Sequence, residues 1–301
     1  MVVETPTKRA PSALLRGLFQ NPAATIGATL LVLIILVAVL APYLGTLDPT
    51  AIDPASRNAL PGSVSTLDNG VGGERSYTHW MGTDSLGRDI YSRVLYGGRV
   101  SLIVGLSVAT LSLGFGLLIG LVAGYVRWVD AVVMRIMDGL MAIPSILLAI
   151  ALVSLSSAGL GNVVVAITIP EIPRVVRLVR AIVLSARQEP YVEAAISVGT
   201  RTPMILFRHI LPNTIAPLIV QGTYVFGSAI LLEAILSFLG AGTPPEHPTW
   251  GNIIADGRAL FRIYPHTLLF PGIFLALTVL GVNLLGDQLR DTLDPRLAKR
   301  I

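Results

Sequence analysis

The chain contains no cysteine in its 301 residues. Disulfides, thiolate metal sites and cysteine nucleophiles are therefore excluded. Lysine is nearly absent, at positions 8 and 299 only. Neither lysine follows a glycine, so the Gly-Lys-Ser/Thr turn that cradles nucleotide phosphates is missing. H-E-x-x-H and the G-x-S-x-G elbow are missing as well. An intramembrane protease would need a serine with a histidine, or paired aspartates, at bilayer depth. The four histidines, His79, His209, His247 and His266, fall in loops or near the ends of apolar runs. They lie too far apart for a local metal-ligand pair and are expected as isolated surface side chains. No basic run interleaved with aromatics occurs, so no nucleic-acid partner is expected. Charged residues make up 13% of the chain, about half the share of a soluble domain.

What fills the space is apolar sequence: 53% of the residues are hydrophobic. Several runs approach the ~20 residues that span a bilayer. The fold class expected is an all-α polytopic membrane protein with six transmembrane helices. Residues 1–21, with Lys8, Arg9 and Arg16, form a basic segment that the positive-inside rule keeps in the cytoplasm. The first span, 22–44, is too long for the apolar core of a signal peptide and has no small-x-small cleavage site before soluble sequence. Residues 45–98 form a long polar outer loop. The remaining core covers 99–289, with spans at about 101–125, 131–155, from 163 onward, 215–239 and 267–289. A basic tail, 290–301, returns to the cytoplasm. Gly116, Gly120 and Gly124 mark a face on which another helix can approach closely.

Ionisable residues inside these spans need partners or water. Arg135 and Asp138 share a helix face and are expected to pair, and Pro144 kinks their helix. Pro170 and Pro173 interrupt the fourth span and leave backbone carbonyls unpaired. Glu171 between them either lines a cavity or pairs with Arg174. Arg174, Arg177 and Arg180 are expected to snorkel toward the cytoplasmic surface. Glu233, in the fifth span, is a second candidate cavity-lining residue. Trp250 suits the headgroup interface.

Between the fourth and fifth spans, residues 188–213 follow rules for two short helices with a sharp joint. Pro190 suits a first helical position, and Glu189 and Glu193 face the positive helix N-terminus. Ala194 and Ala195 keep one face small, Gly199 suits a left-handed helix stop, and Thr202-Pro203 restarts the chain. Pro212 is expected to close the second piece. The E-A-A triplet, Gly199 and R-H-I-L-P-N, with Arg208, His209 and Pro212, resemble the "EAA loop" of inner-membrane permease subunits in bacterial ABC importers. In that family the loop forms coupling helices that seat in a groove of the ATPase.

Two further segments carry the resemblance. H-W-M-G-T-D-S-L-G-R-D-I-Y-S-R, from His79 to Arg93, resembles the G-T-D-x-x-G-R-D-x-x-S-R segment of the dipeptide/oligopeptide/nickel branch. Here Gly82 and Gly87 allow turns, and Asp84 and Asp89 can pair with Arg88, Arg93 or Arg99 in an ordered periplasmic cap. The stretch from Ser237 through Trp250 and the N-L-L-G-D-Q-L-R-D-T-L-D-P-R ending also resemble family signatures. The fourth span departs from the pattern at Pro170, Glu171 and Pro173.

The resemblance implies a type I ABC importer permease fold and uptake of peptides or glutathione-like compounds. It implies a homologous second permease, two cytoplasmic ATPase subunits that bind ATP and Mg, and a periplasmic or lipid-anchored substrate-binding protein. This chain itself would hold no cofactor and no metal. Its place would be the bacterial inner membrane, in contact with lipid, with both termini cytoplasmic. Nickel-chelate and opine importers share the scaffold and stand as alternatives. A self-sufficient secondary transporter would instead show inverted repeats with matched broken helices, and only the fourth-span break is found.

Overall fold

The computed structural model describes residues 21–68, 74–156, 159–244 and 246–293. The basic segments around Lys8, Arg9 and Arg16 and around Arg296, Lys299 and Arg300 lie outside the described residues. Helix α1, Pro22–Leu40, starts where Asn21 caps the Ala23 N–H and Pro22 fixes the first turn. A two-stranded antiparallel hairpin follows, β1 Ser63–Asp68 on β2 Glu74–His79. Helix α2, Ile90–Tyr125, begins eleven residues before the span expected at 101. Its 36 residues run for ~54 Å, well beyond a ~30 Å hydrocarbon core. The cause lies in the first turn, where the Asp89 carboxylate caps the Ser92 N–H. Some of the expected outer loop is therefore helix.

Helices α3, Arg127–Ala142, and α4, Ser145–Ser154, divide the expected third span. They meet at 90°, a break rather than a kink, at Ile143-Pro144. Pro144 disfavours helical backbone at the residue before it, and Ile143 is extended at φ −93°, ψ 128°. Helix α5, Leu160–Ala186, stays helical through Pro170 and Pro173, both buried. Then come α6, Pro190–Ser197, and α7, Leu211–Phe238. The short α8, Trp250–Gly257, precedes α9, His266–Leu293.

Among the described residues four helices are long and apolar enough to cross a membrane, and the α3–α4 pair can add a fifth. Helix α5 is long enough at 27 residues, but it carries Glu171, Arg174, Arg177 and Arg180. What holds it is packing. Gly116, Gly120 and Gly124 of α2 face Val175, Val179 and Val183 of α5. A methyl on each glycine would lie 2.4, 2.7 and 2.6 Å from the matching valine Cβ. The three valines are fully buried. On its other side α5 is paired to α3: Arg177 donates to Asp138 at 2.5 Å, and Arg180 makes a two-pronged contact with Asp130. Asp138 thus pairs across helices and not with Arg135 on its own helix. Arg177 and Arg180 are held by these carboxylates, partners that the expectation of snorkelling did not name.

The seam generates a prediction. Gly120→Leu should drive a side chain into Val179 and cost about 1–3 kcal/mol by overpacking. The purified variant is expected to unfold several degrees lower in detergent. Gly120→Ala should lose less and be largely restored by Val179→Ala. An unchanged unfolding temperature for Gly120→Leu would show that the helices are not held by this contact.

Candidate functional site

The two ends of α2 define the two candidate regions. At its C-terminal end, Arg187 donates to the Tyr125 carbonyl and lies over the Tyr125 ring. From there α5 turns directly into α6, so the bend lies at this end. Helix α6 stops with Gly199 at φ +81°. The Thr200 N–H returns to the Ala195 carbonyl and the Gly199 N–H to Ile196, a left-handed cap of the Schellman type. A side chain at Gly199 would meet no atom within 4 Å, so the requirement for glycine is conformational alone.

The chain restarts at Thr202–Met204 and then winds wide over Ile205–Ile210, where the Leu211 N–H reaches back five residues to the Leu206 carbonyl. Pro212 supplies no N–H to the carbonyl four residues before it, which favours this wider turn. Here the structure corrects the sequence. Pro212 does not close the second helical piece, because it lies in the first turn of α7 and the piece runs on into the fifth span.

Burial sorts the predicted residues into two groups. Val192, Ile205 and Ile210 are buried in the same cluster as Val179 and Val183, which fastens the bend to the bundle. Tyr191 adds a hydrogen bond from Asn213 at 2.8 Å and a ring contact with His209. Glu193, Ala194, Gly199, Arg208 and Pro212 are exposed, and Ala195 and His209 are half-buried. Sequence reasoning missed the apolar residues beside them. Ile196, Val198, Met204 and Phe207 are 49%, 86%, 51% and 60% exposed. Their pattern carried no signal because the chain leaves its helical period at Gly199.

At the N-terminal end of α2 the acid–arginine segment forms a closed box. The Asp84 carboxylate accepts from Arg88 Nε at 2.7 Å and Arg93 Nη1 at 2.6 Å. Asp256 of α8 accepts from the same two arginines at 2.7 and 3.0 Å. Two cations and two anions thus neutralise one another, with Asp84, Arg88 and Arg93 all buried. Asp256 lies more than 160 residues away in sequence, and local spacing gave no sign of it.

Among the described residues Asp89 takes no arginine. It caps α2 and accepts from Tyr77 at 3.3 Å and His79 at 2.8 Å. The Tyr77 hydroxyl is pushed up to about 12 by burial first and then by the Asp89 charge. His79 and His266 are buried, not surface side chains. Arg99 donates to the carbonyls of Ala38 and Val39 and so closes the end of α1.

The remaining candidates are also buried. Glu233 Oε1 accepts from Ser237, Thr243 and Thr249 at 2.8, 3.3 and 2.9 Å, binding the loop after α7 back onto the helix. Glu171 meets Arg174 at 3.5 Å and Ser228 at 3.2 Å. Within this chain both carboxylates are covered, so Glu171 takes the paired alternative. Trp250 is 1% exposed, with its indole N–H on the Val94 carbonyl, and so lies in the core instead of at a headgroup interface.

These features define a helical membrane protein with an ordered cap at one end and an exposed apolar bend at the other. Residues 116–299 match the family described as binding-protein-dependent transport system inner membrane component. Residues 12–61 match the N-terminal TM domain of oligopeptide transport permease C. The chain belongs to the family of binding-protein-dependent inner-membrane transport components, the non-catalytic permeases of ABC transporters.

A probable peptide ABC transporter permease protein of Sinorhizobium fredii is 52% identical over 282 residues, covering 93% of this chain and 91% of the relative. The dipeptide transport system permease protein DppC of Alkalihalophilus pseudofirmus is 43% identical over 283 residues, covering 94% and 88%. The glutathione transport system permease protein GsiD of Pectobacterium atrosepticum is 47% identical over 223 residues, covering 74% of each chain. An inward-facing structure of the MetNI methionine ABC transporter shares the fold with a TM-score of 0.56 at 19% identity. That match covers 67% of this chain and 97% of the MetNI chain.

The box yields a prediction about stability. Asp84→Asn leaves two buried guanidinium groups with one carboxylate, a loss on the order of 3–5 kcal/mol. Asp256→Asn should cost less, since the Asp256 side chain is 32% exposed and water can replace it. Thermal unfolding of the purified variants checks the order. Equal effects would mean that burial does not govern the box.

Proposed function

We propose that this chain is a permease subunit of an ATP-driven importer that takes up peptides, either di- and oligopeptides or glutathione-like compounds. The peptide, dipeptide and glutathione permeases among its relatives support this substrate class. A homologous second permease completes the translocation path. Two cytoplasmic ATPase subunits bind ATP and Mg, and a substrate-binding protein delivers solute from outside. The nucleotide sites would belong to those ATPase subunits. The bend faces the cytoplasm, both termini lie on that side, and the hairpin and acid–arginine box lie outside.

The observation that carries the reading is the exposed apolar bend. Four large apolar side chains project from a short segment whose other face is fixed in the core. Such a patch suits a protein partner. Glu193 and Arg208 flank it with opposite charges that would set the register of docking. Because α5 enters the bend and α7 leaves it, displacement of the bend would tilt both helices together.

Gly199→Val tests this coupling. A β-branched residue at positive φ is an outlier, and the strain is on the order of 1–3 kcal/mol. No neighbour is displaced, so the damage stays in the bend. Expected are near-normal membrane abundance, strongly reduced peptide uptake, and ATPase activity no longer stimulated by loaded binding protein. Gly199→Asn, which tolerates this backbone better, should retain more uptake. Wild-type uptake by Gly199→Val would sink the proposal that the stroke passes through the bend. A single cysteine at Asn58, in this cysteine-free chain, should react with an impermeant thiol reagent from outside; protection until the membrane is permeabilised would reverse the orientation.

A further inference from the structure

A second polar feature lies far from both ends. Arg174 sits fourteen residues into α5, ~21 Å along a helix of ~40 Å, and Tyr224 is thirteen residues into α7. Both are therefore near the middle of their helices. They border an open cleft of about 510 Å³ with Met141, Arg177 and Gln221. The Arg174 side chain is 40% exposed there. A partly exposed guanidinium at this depth is costly against hydrocarbon and belongs on a water-filled or protein-covered face.

The arginine is held with one edge unused. Its Nη1 makes both contacts, to Glu171 Oε2 at 3.5 Å and to the Tyr224 hydroxyl at 3.2 Å. Its guanidinium carbon also lies 5.5 Å from the Tyr224 ring centroid, over the ring. Glu171 is itself fixed from behind by Ser228. Among the described residues the Nε–Nη2 edge, the fork that can donate two parallel hydrogen bonds to a planar carboxylate, makes no hydrogen bond. Arg177 offers no such edge as freely, because Asp138 holds its Nη2 at 2.5 Å. The counter-charge on Arg174 is a single long contact to a buried acid, so an anion on the open side is still attracted.

We propose that Arg174, with Tyr224 and Gln221, forms a carboxylate subsite on the wall of the translocation path, which takes the C-terminal carboxylate of a peptide in transit. The proposal rests on the peptide-importer reading above. Glu171 is a positioning residue here, orienting the guanidinium without touching solute. The subsite is weak by construction, since one arginine edge, one hydroxyl and one amide in an open cleft can release what they bind. A transport path requires that.

The test uses the complete transporter in proteoliposomes, with binding protein preloaded to the same occupancy. The solute is either radiolabelled dialanine or its C-terminal amide. The ratio of acid to amide uptake is independent of how much complex is present. Wild type should favour the acid about tenfold, the value of one charge-assisted bidentate contact. Arg174→Gln should bring the ratio near one, and Arg174→Lys should keep some of it. Tyr224→Phe, which leaves the ion pair in place, should reduce the ratio about threefold and serves if Arg174→Gln does not assemble. A ratio unchanged in Arg174→Gln or in Tyr224→Phe would overturn the subsite and assign the open edge to an acidic residue of the second permease. A wild-type transporter that imports none of dialanine, an alanine oligopeptide and glutathione would overturn the peptide-importer reading itself.

Discussion

The close approach of α2 and α5 is the constraint on which the rest of the bundle depends. Three glycines at four-residue spacing remove the side chains from one face of α2, and three β-branched valines at the same spacing fill the space. In a bilayer the apolar effect does not favour helix association, because lipid is as apolar as valine. Close backbone packing and dispersion must do so instead. The seam matters most for α5, which contains two prolines and four ionisable residues. Such a helix has little reason to remain among lipid tails alone. The seam holds one side of it, and carboxylates of α3 neutralise two of its arginines on another.

Because the seam fixes α5, it also fixes what α5 carries. Downstream, Val192 and Ile205 belong to the same buried cluster as the seam valines, so the bend at Gly199 is continuous with the core. Upstream and at mid-helix, Arg174 is turned toward Tyr224 of α7 instead of toward a helix end. The break at Pro144 contributes by turning α4 away from α3 at 90°.

The other end of the molecule solves a different problem. Two arginines are buried there, and an unpaired buried charge would be far too costly. Four charges close into one neutral box, and Asp89 is left for helix capping and for the tyrosine and histidine beside it. Glu233 has a comparable role in the loop after α7, where three hydroxyls converge on a single carboxylate oxygen. The hairpin end and the loop after α7 are thus tied to the bundle by polar contacts, and the bend mainly by apolar ones. The other face of the bend, with Ile196, Val198, Met204 and Phe207, stays exposed.

Local chemistry determined much of this protein, and it was legible in the sequence. Apolar run length gave the helical membrane class, and positive-φ requirements gave the turns at Gly82, Gly87 and Gly199. The helix-start rule placed Pro190 correctly. These features depend on residues within one or two turns of each other, so spacing suffices to read them. Only the tertiary structure decided which charges meet. Asp138 chose Arg177 over its own neighbour Arg135, and Asp256 joined Arg88 and Arg93 from the far end of the chain. His79 and Trp250 were drawn into the core, although their sequence context suggested a surface. Ion pairs and burial are set by which helices the packing brings side by side. A glycine stripe announces that a close approach will occur, but it does not name the partner.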